Sequence, residues 1–113
     1  PSGGIEAMGQ LLALASRPTA VFCYNDATAL GAMRAARAAG LHIPHDLSVI
    51  GFDDIDLAPY FEPPLTTVVQ PKREMGAKAV EMILDLLAGR DVEETCVLPS
   101  RLAVRGSAMA PPY

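Results

Sequence analysis

Apolar residues along this chain alternate between a helical period and short unbroken runs. From Gly4 to Ala15, Ile5, Met8, Leu12 and Ala15 recur at helical spacing, and Ser16-Arg17-Pro18 ends the segment. Thr19-Ala20-Val21-Phe22-Cys23-Tyr24 follows. Its middle is apolar without alternation, the pattern of a parallel strand covered on both faces. Asn25-Asp26 breaks the run, and Asp26 is of a residue type that caps helices. Behind it Ala29, Met33 and Ala36 form one stripe while Arg34 and Arg37 share another face. Gly40 stands where a left-handed residue stops a helix. After the loop from Leu41 to Asp46, Leu47-Ser48-Val49-Ile50-Gly51-Phe52 reads as a second buried strand, again closed by polar residues, Asp53-Asp54.

The stretch from Ile55 to Pro64 is too short and proline-rich for a long helix and predicts a helical turn plus loop. Thr66-Thr67-Val68-Val69-Gln70 is a third strand, and Pro71 suits the first turn of a helix. That helix, Lys72 to Ala88, carries Met75, Ala79, Met82, Ile83 and Leu86 on one stripe, with Glu74 and Lys78 as an i,i+4 pair and Gly89 as its stop. Two late strands are expected near Thr95–Leu98 and Arg101–Arg105, then a frayed tail from Ala110 to Tyr113. Strand–helix units in series predict an α/β fold, a parallel sheet with right-handed helical crossovers. The opening helix has no strand before it, and three parallel strands with so few helices would expose much apolar surface. The expectation is a chain that forms part of a larger domain.

Composition narrows the function. With 50% hydrophobic and 19% charged residues, the chain is no disordered tail. Nine basic residues against thirteen acidic ones, scattered rather than clustered, argue against a phosphate-binding surface and direct DNA contact. Cys23 and Cys96 have no partners at metal-ligand spacing and sit among apolar neighbours, which predicts two reduced core thiols. No apolar run approaches the ~20 residues of a membrane span. His42 and His45 flank Pro44 without a third ligand and read as surface residues. Adjacent Asp53 and Asp54 would point to opposite sides of an extended chain, which argues against a paired metal site. With no GxGxxG, P-loop or GxSxG elbow, neither an enzyme nor a cofactor or metal is expected.

Ligands of open α/β sheets bind at the carboxyl ends of the strands. That rule selects Asn25 and Asp26 after the first strand, Asp53 and Asp54 after the second, and Gln70 at the end of the third. Carboxylates that accept hydroxyl protons, beside amides that both donate and accept, suit a sugar. Each has a plainer alternative: Asp26 as a helix cap, Asp54 as a turn residue, Gln70 as the lead into a helix.

Read in order, the pieces resemble one family. The series runs Thr19-Ala20-Val21-Phe22, Asn25-Asp26, Ala29-Leu30-Gly31-Ala32-Met33-Arg34, Gly40-Leu41, Ile43-Pro44 and Asp46-Leu47-Ser48-Val49-Ile50-Gly51-Phe52-Asp53-Asp54. It continues with Pro64-Leu65-Thr66-Thr67-Val68, Gln70-Pro71, Gly76 and Ala79. This is similar to the C-terminal part of LacI/GalR transcriptional regulators, over essentially the whole chain. The resemblance implies a type I periplasmic-binding-protein-like core, two α/β subdomains around a cleft for a sugar or small metabolite. It implies a cytoplasmic homodimer that meets operator DNA only through an N-terminal domain outside this chain. By the family pattern, residues 1–66 and 94–107 belong to the C-terminal subdomain, and 67–93 form a crossover and a helix that packs on the other subdomain. Asn25, Asp53 and Gln70 match effector-facing positions, Asp26 matches the acid beside the asparagine, and Leu30, Tyr60 and Phe61 fall where family members build their dimer interface. An exported sugar-binding protein of the same fold is the rival, with a flavodoxin-like enzyme domain behind it. The Pro-Leu-Thr-Thr-Val…Gln-Pro stretch and the ending Leu102-Ala103-Val104-Arg105-Gly106-Ser107 favour the regulator.

Overall fold

The computed structural model describes residues 1–111; the last two residues of the expected tail, Pro112 and Tyr113, lie outside the described residues. The elements in order are α1 (Ser2–Leu12), β1 (Ala20–Phe22), α2 (Asp26–Ala38), β2 (Ser48–Asp53), a 3-10 turn (Ala58–Tyr60), β3 (Thr66–Val69), α3 (Lys72–Leu87) and β4 (Arg101–Ala103). The sheet order is β1-β2-β3-β4, with the first three strands parallel and β4 antiparallel to β3. A parallel sheet with helical crossovers is therefore what this sequence builds.

Three local expectations are corrected. Only one late strand forms, Arg101–Ala103, because Thr95–Leu98 runs back along α3, where Thr95, Cys96 and Leu98 line a hollow with Met75 and Met82. Cys96 is consequently exposed, and only Cys23 is a buried thiol. β1 is covered on one face rather than two: Val21 is half-buried while Ala20 and Phe22 are open.

The core lies between the sheet and the helix pair α1–α2. Met8, Ala29, Met33, Ala36, Leu47, Val49, Ala58 and Leu65 are its wholly buried members, with the alanines of α2 letting that helix sit close to the strands. A Cβ on Gly4 would stand 2.1 Å from the Thr28 carbonyl oxygen, so α1 crosses α2 backbone to backbone. Gly40, at φ 82°, ends the segment after α2, and Gly89, at φ 75°, follows α3, as a left-handed stop requires. Past β4 the chain returns to the sheet at Ser107. The Ser107 hydroxyl donates to Val49 O (2.5 Å) and accepts from Thr66 N (2.8 Å), while Val49 N donates to Ser107 O (2.8 Å). Ser107 thus fills the gap where β2 and β3 have not yet met.

α3 behaves differently from α1 and α2: it buries none of its residues. The molecule measures 59 × 24 × 24 Å, and its radius of gyration of 18.1 Å exceeds the roughly 13 Å of a compact domain this long. The helix's ion pair is Lys78–Glu81 at 3.3 Å rather than the expected Glu74–Lys78. β3 stays paired with β2 and β4 through Val69.

Candidate functional site

Three loops leave the carboxyl ends of β1, β2 and β3 at one end of the sheet. After β1 the chain turns into α2 at Asn25, whose extended backbone and side chain form the N-cap: Oδ1 accepts from Thr28 N at 2.8 Å. The cap is therefore Asn25, one residue before the position expected. Asn25 remains half-buried at the surface of this end.

Asp26 goes inward instead. It is wholly buried, and its carboxyl oxygens accept from Ile55 N (2.8 Å) and from the Thr67 hydroxyl (2.5 Å). As a ligand-facing residue Asp26 is corrected: no part of it is open to a ligand. Cys23 lies next to it, and burial, helped by the Asp26 charge, pushes the Cys23 thiol up to about 11.

β2 ends at Asp53, and Asp53 and the residue after it, Asp54, both have positive φ, 118° and 55°. Side-chain-bearing residues seldom adopt such angles, and they persist where surrounding contacts impose them. The turn sends the two carboxyls to different partners. Asp53 accepts from the Gln70 side-chain amide, so an acid at the end of β2 and an amide just past β3 are brought together as a half-buried pair. Asp54 meets Arg105: Nη2 to Oδ1 is 2.8 Å, while Nη1 of the same guanidinium donates to Leu65 O at 2.9 Å. The Arg105 backbone N–H donates to Thr66 Oγ1 at 2.9 Å. Lys72 Nζ reaches Asp54 O at 3.5 Å.

Arg105, whose side chain braces this end of the sheet, is not among the residues that the sequence pattern singles out for the site. Nor does that pattern single out the open aromatic face, where Phe22 and Phe52 stand with ring centroids 6.5 Å apart at 59°. The only signal for the first was a basic residue in an otherwise apolar ending; for the second, the aromatic side of two strands read as buried. His42 and His45 are exposed, and the His42 backbone and ring both bond the Asp46 carboxyl, holding it below the usual carboxylate range.

At the other expected site, Leu30 and Tyr60 are exposed, but Phe61 is only 8% exposed and belongs to the core. It floors a hollow of about 240 Å³ whose walls include Leu30, Met33 and Arg37. Phe61, expected at the dimer interface, is a mostly buried support there, since the turn of Ala58–Tyr60 directs it under α2.

Residues 2–108 match the family model described as a periplasmic binding protein-like domain. The HTH-type transcriptional repressor CytR of Escherichia coli (strain K12) is 47% identical over 110 residues, 96% of this chain and 32% of the repressor. A structure of the dimeric Lac repressor with an 11-residue C-terminal deletion superposes with a TM-score of 0.92 at 38% identity, covering 97% of this chain and 40% of that one. A LacI family transcriptional regulator from Enterococcus faecium, with bound ribose, gives 0.85 at 37% identity, with 99% and 41% covered. The chain thus spans about a third of the length of the curated relatives it matches, CytR among them at 32%.

Proposed function

Because this chain belongs to the periplasmic binding protein-like domain family, in the branch carried by LacI/GalR regulators, we propose that it is the effector-sensing and dimerising part of a DNA-binding transcriptional regulator. The effector is a sugar or a similar polyhydroxylated metabolite, and no chemistry is done on it. One observation carries the reading: the Asp53–Gln70 pair, an acid and an amide joined from two neighbouring strand ends, with Asn25 at the end of the third. Such a set accepts and donates to vicinal hydroxyls, and it sits where open α/β sheets hold ligands. The ribose bound to the Enterococcus faecium relative supports the same ligand class.

The rest of the proposal follows the family. Residues 1–66 and 94–107, with α1 and α2, are one subdomain, and residues 67–93, with α3, cross to pack on a second. Leu30 and Tyr60, above the buried Phe61, face a second copy. Operator DNA is met by another part of the gene product, in the cytoplasm. A repressor such as CytR among the relatives favours this over an exported sugar-binding protein.

Calorimetric titration of the intact gene product with a panel of pentoses and hexoses, D-ribose first, tests the proposal. Asp53→Asn keeps the shape but removes a charged acceptor, and is expected to cost about 1.5–3 kcal/mol of sugar affinity. A variant that titrates like the parent removes Asp53 from the site.

A further inference from the structure

Asn25, Asp53 and Gln70 come from three separate segments, and all three segments are tied to one buried group. Asp26 follows Asn25 directly. Its Oδ2 accepts from the backbone of Ile55, two residues past Asp53, at 2.8 Å. Its Oδ1 accepts from Thr67, three residues before Gln70, at 2.5 Å. Both Asp26 and Thr67 are wholly buried. β2 reaches this carboxyl with bare backbone: a Cβ on Gly51 would stand 2.2 Å from Asp26 Oδ1 and 2.9 Å from Leu65 Cδ2.

From this convergence we infer that Asp26 is a positioning residue for the effector site, a carboxyl hub that sets Asn25, Asp53 and Gln70 in register with one another. The inference rests on the proposed function for what the site binds. The geometry explains why the hub acts on position. The Ile55 bond falls just after the two positive-φ residues, so it holds the far end of the strained turn that presents Asp53. On the other side of the same turn, Arg105 holds Asp54 against Leu65 O. The Thr67 bond fixes the level of β3, and hence where Gln70 stands when its amide meets Asp53. A shift of about 1 Å at a binding group is enough to cost much of its effect.

The experiment separates the Thr67 hydroxyl from the Thr67 methyl. Thr67→Val keeps the packing and removes the hydroxyl; Thr67→Ser keeps the hydroxyl and removes the methyl. Both are made in the intact gene product and titrated with D-ribose where each variant is folded, as thermal melting verifies. A positioning role predicts that affinity follows the hydroxyl: about tenfold weaker binding for Thr67→Val, the scale of a lost hydrogen bond to a charged group, and near-parent binding for Thr67→Ser. A purely structural role predicts lower melting temperatures for both and unchanged affinity for both; that result overturns the inference. Amide NMR supplies the arm that needs no sugar. In the parent and Thr67→Ser, Asp53 is expected to keep the strong intraresidue amide–Hα contact of positive φ, and the Ile55 amide to exchange slowly. In Thr67→Val both marks should weaken. Should D-ribose fail to bind the parent, the proposed ligand is wrong; the hub is then overturned only if those two marks survive the loss of the hydroxyl.

Discussion

Cys23 and Cys96 show how far one residue's neighbours decide its chemistry. Both have apolar neighbours in the sequence, yet Cys23 is buried beside Asp26 and Cys96 is open on the return along α3. A thiol reagent near pH 8 is expected to modify Cys96 alone, with Cys23 reacting only on unfolding, because the thiolate is the nucleophile and burial disfavours it. The same shift has a stability consequence. In the unfolded chain Cys23 ionises at 9.0, in the folded one at about 11. Its contribution is complete below pH 9.0 and is lost as pH rises toward about 11. Denaturant melts across that window should fall more steeply for the parent than for Cys23→Ala; equal slopes would show that Cys23 is not the group responsible. Asp26 illustrates the limit of sequence reading at this scale. Its residue type and place before a helix fit a cap, but its backbone lies one residue inside the helix, and only the fold reveals Ile55 and Thr67 around it. Asp53 and Gln70 were selected by their places at strand ends; that they bond to each other is a matter of register, Asp53 opposite Val69, which no local pattern contains.

Between elements, the closest contact is the crossing of α1 over α2. Gly3 and Gly4 are adjacent in α1, but a Cβ on Gly3 meets nothing within 4 Å whereas one on Gly4 would strike the Thr28 carbonyl at 2.1 Å. Alanine is expected to stabilise at Gly3 by up to about 1 kcal/mol through helix propensity. At Gly4 it should destabilise by about 1–3 kcal/mol, since backbone must move. Thermal melts of the two variants should move in opposite directions; a neutral Gly4→Ala would mean that α1 docks loosely. Elements with strong internal period were legible: the Ala29–Met33–Ala36 stripe is the buried face of α2, and Gly40 and Gly89 follow its end and that of α3. What misled were apolar residues whose cover lies far along the chain. β1 reads as buried on both faces, yet only the face toward Val21 is packed. Thr95–Leu98 has strand-like composition, but it runs beside a helix rather than along a strand.

At the scale of the whole molecule the unusual feature is α3, one side of which projects apolar residues that stay more than half exposed. Val80, Ile83, Leu84 and Leu87, at i, i+3, i+4 and i+7, are 56%, 55%, 56% and 80% exposed. Such a stripe is the seam by which amphipathic helices pack, and apolar patches of this kind seldom stay bare in water. The Leu30–Tyr60 face rests on a buried Phe61 and sets two exposed large side chains against the four of the α3 stripe. The 113-residue chain, produced by itself, is therefore expected to associate, with the α3 stripe as the stronger contact. A two-fold pair is the simplest arrangement, because one stripe then covers its own copy. Sedimentation velocity over a range of concentrations reads the outcome. Ile83→Glu places a carboxylate in the seam, costly to bury without a partner, and should shift the assembly toward monomer. Tyr60→Glu should leave it largely intact. Ile83 is not needed for the core, so its substitution leaves the melting temperature of the monomer unchanged and the comparison clean. A reversed order, with Tyr60→Glu dissociating the pair and Ile83→Glu doing nothing, would move the contact to the α2 face. A chain that stays monomeric at every concentration would show that α3 finds cover within its own molecule.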